Sequence, residues 1–309
     1  MLPILLKTLP FFALIGLGYG AGRTRFFTPE ATAYLTRFVF YFALSAMLFR
    51  FSANLDFAQV WDLQLIWAYL LGTGATWWIA ILVGRTRLQS MSVTAIEAQC
   101  AAIGNVGFLG VPMLTLLLGS AAIGPIMLAL AVDLIVFSSL IVILITASRE
   151  GGLRLRLMWE IPIGLAKNPM IVSISSGLIW SSAGLSIPQP LDEFLLLLGA
   201  AATPGALFAI GASLADKSAE RLSLALWLST CKLLIHPALV AVAVLYIFDV
   251  DPFAAGVVIA AAAMPVAGNV YILAQHYGIA PQRASAAILV STMISVVTLT
   301  AVIAWVQTF

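Results

Sequence analysis

Ile103-Gly104-Asn105-Val106-Gly107-Phe108-Leu109-Gly110-Val111-Pro112 lies in the middle of an apolar run and is built to break a helix. Its three glycines weaken helical order, and Pro112 cannot donate to the carbonyl of Phe108. In hydrocarbon an open backbone group costs several kcal/mol, so such a break persists only where it lines a cavity or packs on protein. A second run has the same features: Pro265, Gly268 and Asn269, with Pro265 releasing the carbonyl of Ala261. Gly104-Asn105-Val106 recurs there as Gly268-Asn269-Val270, 164 positions later. Ser45-Ala46-Met47-Leu48-Phe49 resembles Pro204-Gly205-Ala206-Leu207-Phe208 at an offset of 159. Two copies of one unit are expected.

The surroundings of both breaks are a membrane protein's. Of 309 residues, 62% are apolar and 9% charged, against roughly 25% charged in a soluble domain. A soluble globule is excluded. At about 20 apolar residues per membrane helix the chain holds on the order of ten spans and no sizeable soluble domain. Reading runs bounded by charges, Gly and Pro gives residues 3–22, 30–50, 63–83, 92–118, 121–147, 162–183, 194–214, 222–248, 253–276 and 284–306. The net charge of +2 indicates neither nucleic-acid binding nor a polybasic tail. Cys100 and Cys231 sit in apolar runs and read as small buried hydrophobes without a disulfide. The first span ends in Gly20-Ala21-Gly22-Arg23 with Arg25 following, which retains it in the mature protein.

Connectors after odd-numbered spans hold Arg23, Arg25, Arg85, Arg87, Arg149, Arg154, Arg156, Lys167, Lys217, Arg221 and Arg283, whereas those after even-numbered spans hold only Arg50 among acidic Asp56, Asp62, Asp192, Glu193, Asp249 and Asp251. By the positive-inside rule the odd connectors are cytoplasmic and both termini face outside. Residues 1–147 then form one five-helix repeat, 148–161 a cytoplasmic connector and 162–309 a second repeat. Five is odd, so the second copy enters the membrane inverted, the architecture of many secondary transporters. The broken fourth and ninth helices, related by the repeat, point to a midplane site, where half-helix N-termini hold an anion without a formal cation and Asn105 and Asn269 add amide donors.

Of the ionisable groups within the spans, four matter most: Glu97, Asp133, Lys232 and His236. Asp133 lies roughly 18 Å and Lys232 roughly 16 Å from opposite ends of their helices, so their depths nearly coincide. They read either as a structural ion pair or as Asp133 in proton or cation coupling with His236 as relay. Glu97, about 12 Å before Asn105, reads as a solvated charge at the cytoplasmic mouth. Arg37 and Arg50 are expected to snorkel to the interfaces, and Trp61, Trp159 and Trp305 to anchor there. Gly16, Gly18, Gly20 and Gly22 give two overlapping GxxxG packing faces.

Gly104-Asn105-Val106-Gly107-Phe108-Leu109-Gly110-Val111-Pro112, Lys167-Asn168-Pro169, Pro204-Gly205-Ala206-Leu207-Phe208-Ala209-Ile210-Gly211, Lys232-Leu233-Leu234-Ile235-His236-Pro237 and Met264-Pro265-Val266-Ala267-Gly268-Asn269 together resemble the auxin efflux carrier family. The likeness runs from first span to last and is nearest its bacterial branch of malonate and malate permeases. It implies an all-α integral membrane protein of ten transmembrane helices in two inverted repeats, similar to plant PIN exporters and bile-acid sodium symporters. Helices 1, 2, 6 and 7 would be the scaffold, and helices 3–5 and 8–10 a transport domain moving in elevator fashion. The implied substrate site is Gly104, Asn105, Gly107 and Pro112 with Pro265, Gly268 and Asn269. One position departs: the plant exporters carry a proline directly before the fourth-helix Asn, and here it is Gly104, which softens the pivot.

The function expected is alternating-access transport of a small organic anion, a dicarboxylate such as malonate or malate, across the cell (inner) membrane. An auxin-like aromatic carboxylate is the alternative substrate, and a transporter-fold receptor, sensor or channel the alternative class. An intramembrane enzyme is disfavoured, since HExxH and GxSxG are absent and Asp133 has no dyad partner. No cofactor or metal is expected. Proton coupling is expected over sodium, because the ninth-helix break has no carboxylate. The partners expected are the anion, the bilayer and, as an open option, a second copy in a homodimer.

Overall fold

The computed structural model describes residues 2–55, 62–150, 157–215 and 222–309. Asp56, Trp61, Arg154, Arg156, Lys217 and Arg221 lie outside them, as do the side chains of Arg149 and Trp159. Among the described residues the chain is all helical, without a strand. The helices are α1 (Leu2–Arg23), α2 (Pro29–Ala53), α3 (Leu63–Thr86), α4 (Met91–Ala102), α5 (Val106–Leu118), α6 (Ser120–Ser148), α7 (Leu157–Ala166), α8 (Pro169–Ser182), α9 (Gln189–Leu214), α10 (Leu222–Ile247), α11 (Pro252–Ala262), α12 (Gly268–Tyr277) and α13 (Pro281–Val306). Six of these, α2, α3, α6, α9, α10 and α13, are long and apolar enough to cross a membrane. Among the described residues every apolar run is helical, but three are interrupted over more than one residue, at Ile103–Asn105, Lys167–Asn168 and Ala263–Ala267.

Local chemistry places the helix starts. Thr28, Asp62, Ser90, Asn168 and Asp251 each accept a backbone N–H of the first turn, and Pro29, Pro169 and Pro252 follow three of them at a position where a missing N–H does no harm. Large apolar side chains such as Trp67, Trp78, Leu116 and Leu197 remain exposed on the outer faces, as lipid contact requires. Trp305 is among them. Cys100 and Cys231 are buried and not joined in a disulfide.

Two groups of helices interlock through small residues. In one, α1 lies on α9: a Cβ at Gly18 would strike the backbone of Phe208, and one at Gly211 the backbone of Ile15. Gly22 meets Ala212, whereas Gly16 and Gly20 face open space, so only one of the two expected GxxxG registers packs. In the same group Gly177 of α8 abuts Phe49 and Ser52 of α2, and Gly199 of α9 abuts Met47. In the other, Gly72 of α3 sits against Val240 of α10, and Gly84 against Thr94 of α4. The groups meet where Phe40 of α2 stacks on Phe108 of α5 at 6.1 Å and where the Met170 methyl of α8 reaches Gly107.

Candidate functional site

The two interruptions at Ile103–Asn105 and Ala263–Ala267 cross each other and are sewn together by main chain. Asn105 N–H donates to the Pro265 carbonyl at 2.8 Å, and Ala267 N–H donates to the Ile103 carbonyl at 3.1 Å, which makes Gly104 and Val266 an antiparallel bridge. Val266 N–H is taken by the Ser291 hydroxyl of α13 at 3.1 Å. The crossing therefore satisfies main-chain groups that hydrocarbon could not. The fourth-helix break falls at Ile103–Asn105, not at Pro112. Pro112 is the second residue of an α-helical segment behind a π turn, Val106–Gly110, whose wider hydrogen bonds accommodate it. Likewise the Ala261 carbonyl is not left open, because Met264 N–H reaches it at 3.2 Å.

Of the expected substrate residues, Gly104, Asn105, Pro265, Gly268 and Asn269 come together at or next to the crossing, while Pro112 lies further along α5. Asn105 is buried and Asn269 exposed, so the repeat-related amides see different surroundings. The helical segments after the breaks begin at Val106 and Gly268 with no side-chain cap, so their first N–H groups face the crossing without intrahelical partners.

Lys232 is fully buried and its ammonium lies against Gly104: a Cβ there would come within 3.1 Å of both Cε and Nζ. Glycine before Asn105 thus makes room for the ammonium. Nζ donates to the Ala262 carbonyl, the end of α11, and to His236 Nδ1 at 2.9 Å. With Nδ1 accepting, His236 Nε2–H is left to donate to Thr73 Oγ1 at 2.9 Å. Asp133 accepts from the Tyr69 hydroxyl at 3.2 and 3.3 Å. Tyr69 and Thr73, one turn apart on α3, therefore separate the acid from the base. Among the described residues no direct ion pair joins Asp133 to Lys232, which corrects the expectation of a contact pair. Both charges begin or occupy π turns, Asp133–Phe137 and Cys231–Ile235.

Glu97 is not a solvated vestibule charge. It is 1% exposed and clamped by Arg87 and Arg283, which ties the α3–α4 connector and α4 to the first turn of α13. Arg50 does not simply snorkel either, because it forks onto Asp192 of α9. Arg37 is exposed and lies over the Tyr34 ring. Tyr69 and Thr73 were missed in the sequence, although a Tyr and a Thr at i and i+4 in an apolar span are a detectable polar stripe. Among the described residues no cluster of His, Cys, Asp and Glu could hold a metal ion.

Broken, crossing helices within an apolar helical body define a multi-pass membrane protein. The chain belongs to the family described as "Membrane transport protein", whose model matches residues 3–303, the family that the motifs resembled. It is a transporter and not an enzyme. A relative from Rhizobium meliloti (strain 1021), described as "Putative malonate transporter", is 30% identical over 301 residues, covering 94% of this chain and 92% of that protein.

Proposed function

We propose that the chain carries a small organic anion of the dicarboxylate class, malonate being the first to test, and that the anion binds at the crossing. The observation behind this is the convergence around Gly104 of two uncapped helix starts and the Lys232 ammonium. Each start contributes about half a positive charge, and in a dry interior such a field favours a carboxylate. The description of the Rhizobium relative agrees with a small dianion.

The transport reading takes α4 with α5, α7 with α8, and α11 with α12 as single spans. Ten spans then fall into two inverted repeats on either side of the 148–161 connector. The α1, α2, α7, α8 and α9 group is the scaffold, and the remaining helices form a transport domain that slides past it. The basic odd connectors face the cytoplasm of a cell whose inner membrane holds the protein, with both termini outside. Lys232 acts as a resident cation at the crossing, so the coupling ion is a proton carried by Asp133 and relayed past Tyr69, Thr73 and His236, and sodium is not required.

Counterflow of labelled malonate in proteoliposomes tests the reading. Wild-type protein is expected to exchange malonate, and Asn105→Ala and Asn269→Ala to abolish exchange while remaining folded and monodisperse. Wild-type exchange in both variants would move the site elsewhere. Binding of the anion without any counterflow would make the protein a receptor on a transporter fold.

A further inference from the structure

A charge pair lies away from the crossing, on the border of two adjoining cavities. Arg50, near the end of α2, donates from Nε and Nη2 to the two carboxylate oxygens of Asp192 at 2.7 and 3.0 Å. Their side chains keep 26% and 32% of their exposure and border a cavity of about 860 Å³ at the even-connector end. Arg50 also borders an adjoining cavity of about 340 Å³ that reaches Pro112. Across both cavities stands Thr115 of α5, whose buried hydroxyl has no hydrogen-bond partner among the described residues.

A guanidinium held edge-on by one carboxylate presents a fork of the geometry that any other carboxylate needs. Nη1 takes no part in the bond to Asp192, so an arriving carboxylate can engage it before Asp192 lets go. Because the pair is partly solvated, the exchange does not strand a buried charge. Thr115, which lines both cavities, belongs to the other group of helices.

We propose that Arg50 captures the carboxylate of the arriving anion, with Asp192 as its internal stand-in and Thr115 as the opposing donor. The proposal rests on the organic-anion reading above. Pro112, which lines the smaller cavity, is seven residues beyond Asn105, about 10 Å along a helix, and in this reading capture at Arg50 comes before the crossing. Asp192 then sets the threshold: an anion must outcompete it, which selects compact carboxylates over weakly charged solutes.

The test is malonate counterflow over a concentration series. Arg50→Gln is expected to raise KM about tenfold, the loss of one charge-assisted contact, and Thr115→Val to raise it a few-fold. Asp192→Asn is expected to lower KM several-fold, because the competing carboxylate is gone. A mere brace between α2 and α9 would move Arg50→Gln and Asp192→Asn in the same direction, and that outcome overturns the proposal. Arg50→Lys, which keeps the charge and loses the fork, should give an intermediate KM and stands in if Arg50→Gln does not fold. Unchanged KM in the Arg50 variants with normal wild-type exchange refutes the capture site alone. Wild-type protein that exchanges no carboxylate refutes the anion reading and the capture site together.

Discussion

Lys232→Met keeps the length and apolar stem of the side chain and deletes only the ammonium. The Ala262 carbonyl then loses the ammonium as donor, at up to about 1–3 kcal/mol for a buried group left unsatisfied. Asp133 loses its countercharge as well. A unit pair at about 4 Å attracts by about 4 kcal/mol at an effective dielectric of about 20, and without a direct contact Asp133 and Lys232 have less. Relief from burying an ammonium offsets part of the sum, which leaves a net loss of about 3 kcal/mol, the low end for an orphaned buried charge. Adding Asp133→Asn removes the stranded charge but not the open carbonyl, so the double variant should recover only part and stay about 1–3 kcal/mol below wild type. Equilibrium unfolding in mixed micelles measures both. Full recovery in the double variant would mean a simple ion pair and no role for the carbonyl cap. A single-variant loss under about 1 kcal/mol would mean that the ammonium bears on neither group.

Asp133→Asn alone should keep substrate binding but abolish the rise in uptake as outer pH falls, read as initial rates across a pH series; a retained pH response moves the coupling group elsewhere. Glu97→Gln should destabilise by about 2–3 kcal/mol, less than a fully buried triad would because Arg87 stays partly exposed, and adding Arg283→Gln should restore some of it in the same unfolding assay. Gly18→Ala and Gly211→Ala, whose new Cβ atoms meet backbone, should sharply lower the thermal midpoint in detergent, while Gly16→Ala and Gly20→Ala stay near wild type. Cysteines at Thr24 and Thr86 should be protected from an impermeant outside reagent and one at Gln307 labelled; the reverse pattern inverts the proposed orientation.

What could be read from the chain in advance follows from the range of the forces involved. Helix interruptions are local: Gly104 and Pro265 announce them, and both runs do break there. Within the first run Pro112 causes no break of its own, because a π turn absorbs it, a choice made by neighbouring helices and not by the residue itself. The second partner of Glu97 was out of reach, since Arg283 is 186 positions away and nothing along the chain marks their meeting. Arg50 and Asp192 were each visible as charges at span ends, but only folding makes them one fork. The four first-helix glycines show the same limit, because spacing names two faces and the placement of α9 selects one.

The main-chain seam between the breaks also bears on how this protein can change. Asn105 N–H and Ala267 N–H hold it, and every amino acid but proline supplies that donor. Side chains at 105 and 267 can therefore change without cutting the joint itself, whereas Gly104 stays bound to the room that Lys232 needs. Proline at 105 or 267 is the exception, cutting a stitch whatever its side chain offers the substrate. Selection for new cargo thus has a wide field of substitutions open to it, provided the peptide groups at two positions keep their hydrogens.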